Sequence, residues 1–324
     1  MALITVVVPS YNIEKLLPRC VNSILNQTFK DFEIIIVNDG STDSTGVVAD
    51  KLAIEDSRIR IIHQENGGAG RARNTGINIA KSVYISFIDG DDQIHPEMLK
   101  LLVEAIDSTQ SSIAVCGINT ILQSKQNSIK TDEINSEIEY ELYNTVDAME
   151  ILLSDKKFYR SPCNKLFRRD LFETIRFEEG VLYEDTFTIY EIFKSAMQTV
   201  YLDFNGYYYL INLDSTTREN YNPRHLDAIF QIKRVITDLK DSFPQLTFYE
   251  EARLARQYII LAYKIMSSIK EDRKYLPELI NMFKEDLPDF IGNIEINRKF
   301  QIAMNLLLIN PRLFYFIYNR VKAK

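Results

Sequence analysis

Leu3-Ile4-Thr5-Val6-Val7-Val8-Pro9-Ser10 is the stretch on which the fold turns. It is a short apolar, β-branched run stopped by Pro-Ser, the pattern of a strand buried on both faces of a parallel sheet. Helical spacing follows at once: across Glu14–Gln27, Leu16, Leu17, Cys20, Ile24 and Leu25 fall on one stripe. Phe32–Val37 is a second buried strand and Ser44–Glu55 a second helix, with Val47, Val48 and Leu52 facing inward. Ile59–His63 is a third strand. Gly67-Gly68-Ala69-Gly70 breaks the chain before a helix over Arg71–Ala80, and Ser82–Ile88 is a fourth strand. Pro96–Ser108 then reads as a helix with Pro96 in its first turn, and Ile113–Cys116 as a further strand. Strands alternating with helices imply right-handed βαβ crossovers, hence an α/β domain with a mostly parallel, Rossmann-like sheet.

Outward from this core the pattern changes. Residues 119–140 are polar and irregular, and 145–218 read as mixed α and β. From about 219 the chain turns helical, with Leu226–Leu239, Tyr249–Ile269 and Ile302–Val321 as the clearest segments. The expected organisation is a catalytic domain over 1–218 and a smaller α-helical domain over 219–324. The latter would serve acceptor, oligomer or membrane-surface contacts. The chain is 46% hydrophobic with a net charge of −7, which excludes disorder and argues against nucleic acid as a partner. The charge is uneven: 21 basic and 33 acidic residues lie in 1–219, against 17 and 12 in 220–324. An acidic front half suits a site that binds a divalent cation. Cys20, Cys116 and Cys163 are odd in number and far apart, so neither a disulfide framework nor a zinc site is indicated. The N-terminus lacks a basic flank and a cleavage site, and there is no apolar run near 18 residues. A cytoplasmic protein is expected, at most peripheral at the inner face of the membrane.

In open α/β sheets ligands bind beyond the carboxyl ends of the strands, and four polar clusters sit there: Ser10–Asn12, Asn38–Asp43, Asn66–Gly70 and Asp89–Asp92. Asp89-Gly90-Asp91-Asp92 follows the buried Ser86-Phe87-Ile88, where carboxylates are costly unless neutralised. Hard divalent cations do this and also bridge diphosphates. The same tetrad equally suits a cap and surface turn before the Pro96 helix. Asn38-Asp39-Gly40-Ser41-Thr42-Asp43 suits a helix-capping turn, or a nucleobase or ribose contact through Asp39. Asn66–Asn74 allows close backbone approach to a ligand, with Arg71 and Arg73 able to pair with phosphate, and is also compatible with a plain loop. Tyr183-Glu184-Asp185 offers a general base or a capped helix start.

Taken in order, these blocks resemble glycosyltransferase family 2, inverting enzymes on the GT-A fold. The likeness runs through Val6-Val7-Val8-Pro9-Ser10-Tyr11-Asn12, Val37–Asp43, Asn66-Gly67-Gly68 with Ala72-Arg73-Asn74, and Phe87–Asp92. It continues through Asn164-Lys165-Leu166-Phe167-Arg168-Arg169 and Tyr183-Glu184-Asp185, covering about residues 1–215. The resemblance implies roles. Pro9, Tyr11 and Asp39 would hold the base and ribose of a UDP-sugar. Arg73 would lie near its diphosphate, and Asp89 would contact the ribose or donor sugar. Asp91 would ligate Mn2+ or Mg2+, and Asp185 would be the catalytic base. A single sugar would pass to a hydroxyl of a glycan, glycolipid or glycoprotein in bacterial surface-glycan synthesis. Relatives often carry arginines where this chain has Leu210 and Asn212, and Arg218 is a candidate substitute.

Two other functions compete. A sugar nucleotidyltransferase would need a glycine-rich, lysine-containing loop after the first strand, and Ser10–Glu14 is no such loop. A non-catalytic nucleotide-sugar-binding module would have lost the metal aspartate or the base, and both are present. Processive polymerases of the resembling family add a Gln-x-x-Arg-Trp motif, and this chain has no tryptophan. In the last third, Leu254, Tyr258, Leu261, Ile265 and Ile269 form a core-like stripe. Ile296–Lys324 carries six basic residues and no acids, interleaved with aromatics, which suits protein packing, another subunit or an anionic membrane surface.

Overall fold

The structure, a computed structural model, describes residues 2–122, 138–211 and 221–322. The chain divides into two compact units, 1–213 and 214–324. In the first, β1 (Ile4–Ser10), α1 (Leu17–Leu25), β2 (Phe32–Asp39), α2 (Thr45–Glu55), β3 (Ile59–Gln64), α3 (Gly68–Ile79) and β4 (Tyr84–Phe87) follow the expected alternation. β1 lies between β2 and β4, and β2 pairs with β3, all parallel. The register sets Ser10 beside Asn38, Asn38 beside His63 and Val7 beside Phe87, so the carboxyl ends of all four strands share one edge. Side chains of β1 and β2 are buried almost throughout, which is why their sequences are continuous apolar runs. α3 lies so close to β1 that a Cβ on Gly76 would stand 2.3 Å from Cγ1 of Val7, so glycine is required there.

Beyond β4 the structure departs from the simple alternation. β5 (Gln93–Ile94) is only two residues, too short for a periodicity to register. It is followed by α4 (Met98–Thr109), β6 (Ile113–Leu122), β7 (Tyr140–Asn144), α5 (Thr145–Leu153), β8 (Lys165–Arg168), α6 (Asp185–Ser195) and β9 (Gln198–Ile211). The nine strands form one sheet in the order β3-β2-β1-β4-β8-β6-β9-β5, with β7 on β9. β8 runs antiparallel to both β4 and β6, and β9 is parallel to β6 but antiparallel to β5 and β7. The expectation of a mostly parallel sheet therefore holds for the β3–β4 half, and the whole sheet is mixed. Four local readings also shift. Helix α3 starts at Gly68, so the glycines open it rather than precede it. Pro96 lies two residues ahead of α4. Strand β6 continues to Leu122, and β7 begins at Tyr140, into the stretch read as irregular. The rest of that stretch, 123–137, lies outside the described residues, as do Asn212 and Arg218.

The second unit is helical: α7 (Asp227–Ser242), α8 (Thr247–Ser267), α9 (Leu276–Phe290), α10 (Arg298–Ile309) and α11 (Pro311–Lys322). Its core gathers Ile232, Leu254, Tyr258, Leu261, Ile265, Phe283 and Leu307. Ile269, read as part of the stripe, is exposed because α8 ends at Ser267. The single helix expected over Ile302–Val321 is two. Pro311 has no amide hydrogen to continue α10, and Oδ1 of Asn310 accepts from the amides of Arg312 and Leu313 at 3.1 Å each, which starts α11 afresh.

Candidate active site

The first two loops of the sheet edge are stitched together. Asn12 adopts a left-handed turn (φ 52°), and its Oδ1 accepts from the amide of Thr42 at 2.8 Å. The amide of Ile13 donates to Oγ1 of Thr45 at 2.8 Å, and that of Glu14 to Oδ2 of Asp43 at 3.2 Å. Ser41, Thr42 and Asp43 thus hold the Pro9–Glu14 turn, with Tyr11 half exposed at the rim. Asp39, buried at the end of β2, accepts from Nε2 of Gln64 (2.7 Å) and from the amides of Gly67 (3.0 Å) and Gly68 (2.8 Å). The start of α3 therefore presents its free amides to a protein carboxylate.

The acidic loop rests on this platform. A Cβ on Gly90 would meet Cδ1 of Ile13 at 2.5 Å and the carbonyl of Pro9 at 3.0 Å, so glycine lets Asp89 and Asp91 come down onto the end of β1. Asp92 faces away and is structural. Its Oδ2 accepts from the Tyr207 hydroxyl at 2.5 Å and its Oδ1 from the Leu210 amide at 2.8 Å, which ties the loop to β9. Leu210, at one of the places where relatives often carry arginine, is buried. Burial, with Asp91 and Asp89 beside it, holds the Asp92 carboxyl well above the usual range. Burial and the charge of Asp89 also push Asp91 up to about 6.

Arg73 lies beneath the cluster, buried, with both terminal nitrogens committed: one to Oδ1 of Asp89 at 3.0 Å, the other to Oε1 of Glu184 at 2.5 Å. Its guanidinium also sits 5.3 Å from the ring centre of Phe177. Burial alone would lower its pKa; the carboxylates of Asp89 and Glu184 outweigh burial and raise it. The resemblance placed Arg73 at the diphosphate. In the structure it has two carboxylate partners, which burial makes costly to release. Asn74, the next residue of α3, holds the neighbouring segment: Nδ2 donates to the Phe177 carbonyl (2.8 Å) and Oδ1 accepts from the Phe177 amide (3.0 Å). Arg73 and Asn74 thereby bring Tyr183-Glu184-Asp185 to the acidic loop. Tyr183 turns the chain (φ 61°), and Asp185 opens α6. The charge of Asp185 acts on both Arg73 and Lys165.

Asn164 and Lys165, quoted above only as a shared block, are buried scaffolding. Nζ of Lys165 donates to the carbonyls of Tyr159 (2.7 Å) and Ser161 (2.8 Å) and to Oδ1 of Asn164 (2.7 Å), using all three of its donors. Tyr207 is a partner that sequence reasoning left without a role, and Glu184, read there only within the general-base motif, pairs with Arg73 instead of standing free. Each works on a residue more than a hundred positions away, which no local pattern signals. The three cysteines are buried and free.

A divalent cation fits the donor set in one particular form. Among the described residues no group of three or more His, Cys, Asp or Glu side chains is arranged to hold a metal alone. Asp91, raised by burial and by Asp89, is a hard oxygen donor lacking a compensating positive charge of its own, since Arg73 is engaged by Asp89 and Glu184. That matches a cation held by one or two carboxylates and completed by substrate oxygens, the manner in which magnesium and manganese accompany phosphates.

An α/β sheet with acidic and polar loops gathered at the carboxyl ends of its strands marks that edge as its ligand site, the arrangement of nucleotide-binding folds. The sequence agrees: the glycosyl transferase family 2 profile matches residues 5–176, and the chain belongs to that family. It is 36% identical over 240 residues to the uncharacterized glycosyltransferase EpsJ of Bacillus subtilis (strain 168), covering 71% of this chain and 68% of the relative. Among solved structures it is similar to S. aureus TarS 1–349 in complex with UDP-GlcNAc, with a TM-score of 0.68, 21% identity, and 99% of this chain and 92% of that chain covered. It is also similar to the mannosyltransferase PcManGT of Pyrobaculum calidifontis in complex with GDP-Man and Mn2+ (TM-score 0.53, 14% identity, 97% and 87% covered). These structural likenesses establish the GT-A fold, and the family membership makes the chain a glycosyltransferase.

Proposed function

We propose that this glycosyltransferase moves one sugar, with inversion, from a UDP-sugar to a hydroxyl of a glycan, glycolipid or glycoprotein acceptor in bacterial surface-glycan synthesis. The observation that supports the reading is the Arg73 bridge, which links Asp89 of the acidic loop to Glu184, the neighbour of Asp185. The UDP-GlcNAc bound by TarS supports a UDP-sugar donor, and the Mn2+ of PcManGT a metal-assisted one.

Pro9, Tyr11 and Asp39 take the nucleoside end. Asp39 works from a fixed position, since three of its roughly four lone-pair sites are already filled. Asp89, oriented by Arg73, meets the ribose or donor sugar. Asp91 holds Mn2+ or Mg2+, which when bound offsets the charge on the leaving diphosphate. Asp185 accepts the proton of the acceptor hydroxyl as that oxygen attacks the anomeric carbon. The bond to the diphosphate breaks on the opposite side, and one displacement inverts the configuration. Arg73 is a positioning residue in this scheme.

The test is a donor-hydrolysis and transfer screen across UDP- and GDP-sugars with Mn2+, Mg2+ or neither, followed by Asp185→Asn. We expect turnover only with a UDP-sugar and a cation, and a product of inverted anomeric configuration by NMR. Asp185→Asn should keep donor affinity and lose about 10²–10⁴-fold in transfer. Retained configuration sinks the single displacement, and near wild-type turnover in Asp185→Asn removes that residue from the role.

A further inference from the structure

We propose that the outward face of α11 lies on an anionic membrane surface. The helix carries two apolar faces where a helix at a protein surface needs one. Its inner face is used within the helical unit. Phe314 is buried, and the Tyr315 and Tyr318 rings lie 5.7 and 5.2 Å from that of Tyr263, whose hydroxyl donates to Oδ1 of Asn319 at 2.9 Å. Its outer face carries Leu313, Phe316, Ile317 and Val321, 44%, 52%, 38% and 62% exposed, at the spacing of a single helical stripe. Arg320 belongs to the same stripe, its guanidinium 4.0 Å from the centre of the Phe316 ring. In that posture the stem covers apolar surface while the charge stays at the rim, as interfacial arginines do.

Charge chooses the occupant. Ile296–Lys324 has six Lys/Arg and no Asp/Glu in a chain of net −7, so the remaining residues carry −13. An isologous pairing of two copies through this helix would set two basic, acid-free segments against each other, each with Arg320 on its apolar stripe, whereas a bilayer of anionic lipids is complementary to the segment's charge and to the stripe. Twelve residues cannot cross a membrane, and no helix among the described residues is long and apolar enough to do so. The helix would therefore lie in the interface plane. The protein-packing and membrane-surface readings of this basic, aromatic segment thus apply to opposite faces of one helix.

The test is flotation of the intact protein with phosphatidylcholine vesicles and with vesicles containing phosphatidylglycerol. We expect it to float only with the anionic vesicles, and to be released when salt shortens the Debye length to about 3 Å. Arg312→Gln with Arg320→Gln should weaken binding at least about tenfold. Phe316→Ser with Ile317→Ser and Val321→Ser should abolish it, with the unfolding midpoint retained because all three side chains face outward. The chain has no tryptophan, so Ile317→Trp supplies a clean second probe whose emission should shift blue on anionic vesicles alone. The inference is overturned by absence of flotation, by equal binding to neutral vesicles, or by an unshifted tryptophan. It is equally overturned by a dimer in sedimentation that the serine variant dissolves, since a second copy would then cover the stripe.

Discussion

At Arg73 one guanidinium serves two carboxylates that lie 16 and 111 positions away along the chain. An arginine fork can do this where a lysine point charge cannot. Removing it leaves the largely buried Glu184 and the one-third exposed Asp89 without their shared cation, and the cost is bounded above by the roughly 3–5 kcal/mol of a fully buried pair. Arg73→Met should therefore lose stability up to that scale in urea unfolding, and Arg73→Lys should recover only part. The informative measurement is a double-mutant cycle. Glu184→Gln in the Arg73→Met background should cost clearly less than in the wild type, by about 0.5–3 kcal/mol of coupling. Additive losses would mean that the bridge does not hold Glu184. Asp92 is the contrasting residue. Asp89 pairs with Arg73 at 3.0 Å, while the carboxylate of Asp92 is spent on Tyr207 and Leu210. Asp89 to Asp92 form a turn, closed by the Asp92 amide donating to the Asp89 carbonyl at 2.9 Å, and it is this turn that separates Asp92 from Asp89.

At the scale of elements, α3 organises the site. Its first amides hold Asp39, its middle holds Asp89 and the 177–184 segment through Arg73 and Asn74, and its far end packs on β1 through Gly76. Gly76→Val should push α3 off Val7 and cost about 1–3 kcal/mol, with a loss of turnover because Arg73 and Asn74 move with the helix. Val7→Ala in the same chain should restore part of both, since it empties the space that the new side chain needs. Lack of rescue would locate the damage elsewhere in α3. The elements themselves were legible in the sequence wherever they were long and periodic, as in β1, β2 and α8; α2 was legible in its extent, but Val47, read as facing inward, is 58% exposed and Ala49 is buried in its place. β5 was not, because two residues carry no period. The break between α10 and α11 was legible only through Pro311, whose missing amide hydrogen outweighs the continuous apolar pattern around it.

Across the whole molecule, buried charge couples stability to pH. Burial pushes Lys165 down to about 7 from its ordinary 10.5. Below pH 7 the folded and unfolded chains both carry the proton and the burial penalty is full. Between about 7 and 10.5 the folded chain has released a proton that the unfolded chain keeps, so this group makes stability rise with pH through that window. The difference in unfolding free energy between wild type and Lys165→Met should therefore shift in favour of the wild type from pH 6.5 to 9, by about 1 kcal/mol per pH unit. A flat difference would show that the three acceptors around Nζ keep the ammonium at its ordinary affinity for protons. Strands β1 to β4, the helices between them, the four loop clusters at those strand ends and the family were readable from the chain alone. Those features depend on periodicity and turn chemistry among near neighbours, which are written locally. Only the tertiary structure decided which side chains are spent on one another: Arg73 on Asp89 and Glu184, Asp92 on Tyr207, and Asp39 on the glycine amides. Those pairings arise when burial brings distant segments together and every buried polar group must find a partner, a condition that no local pattern encodes.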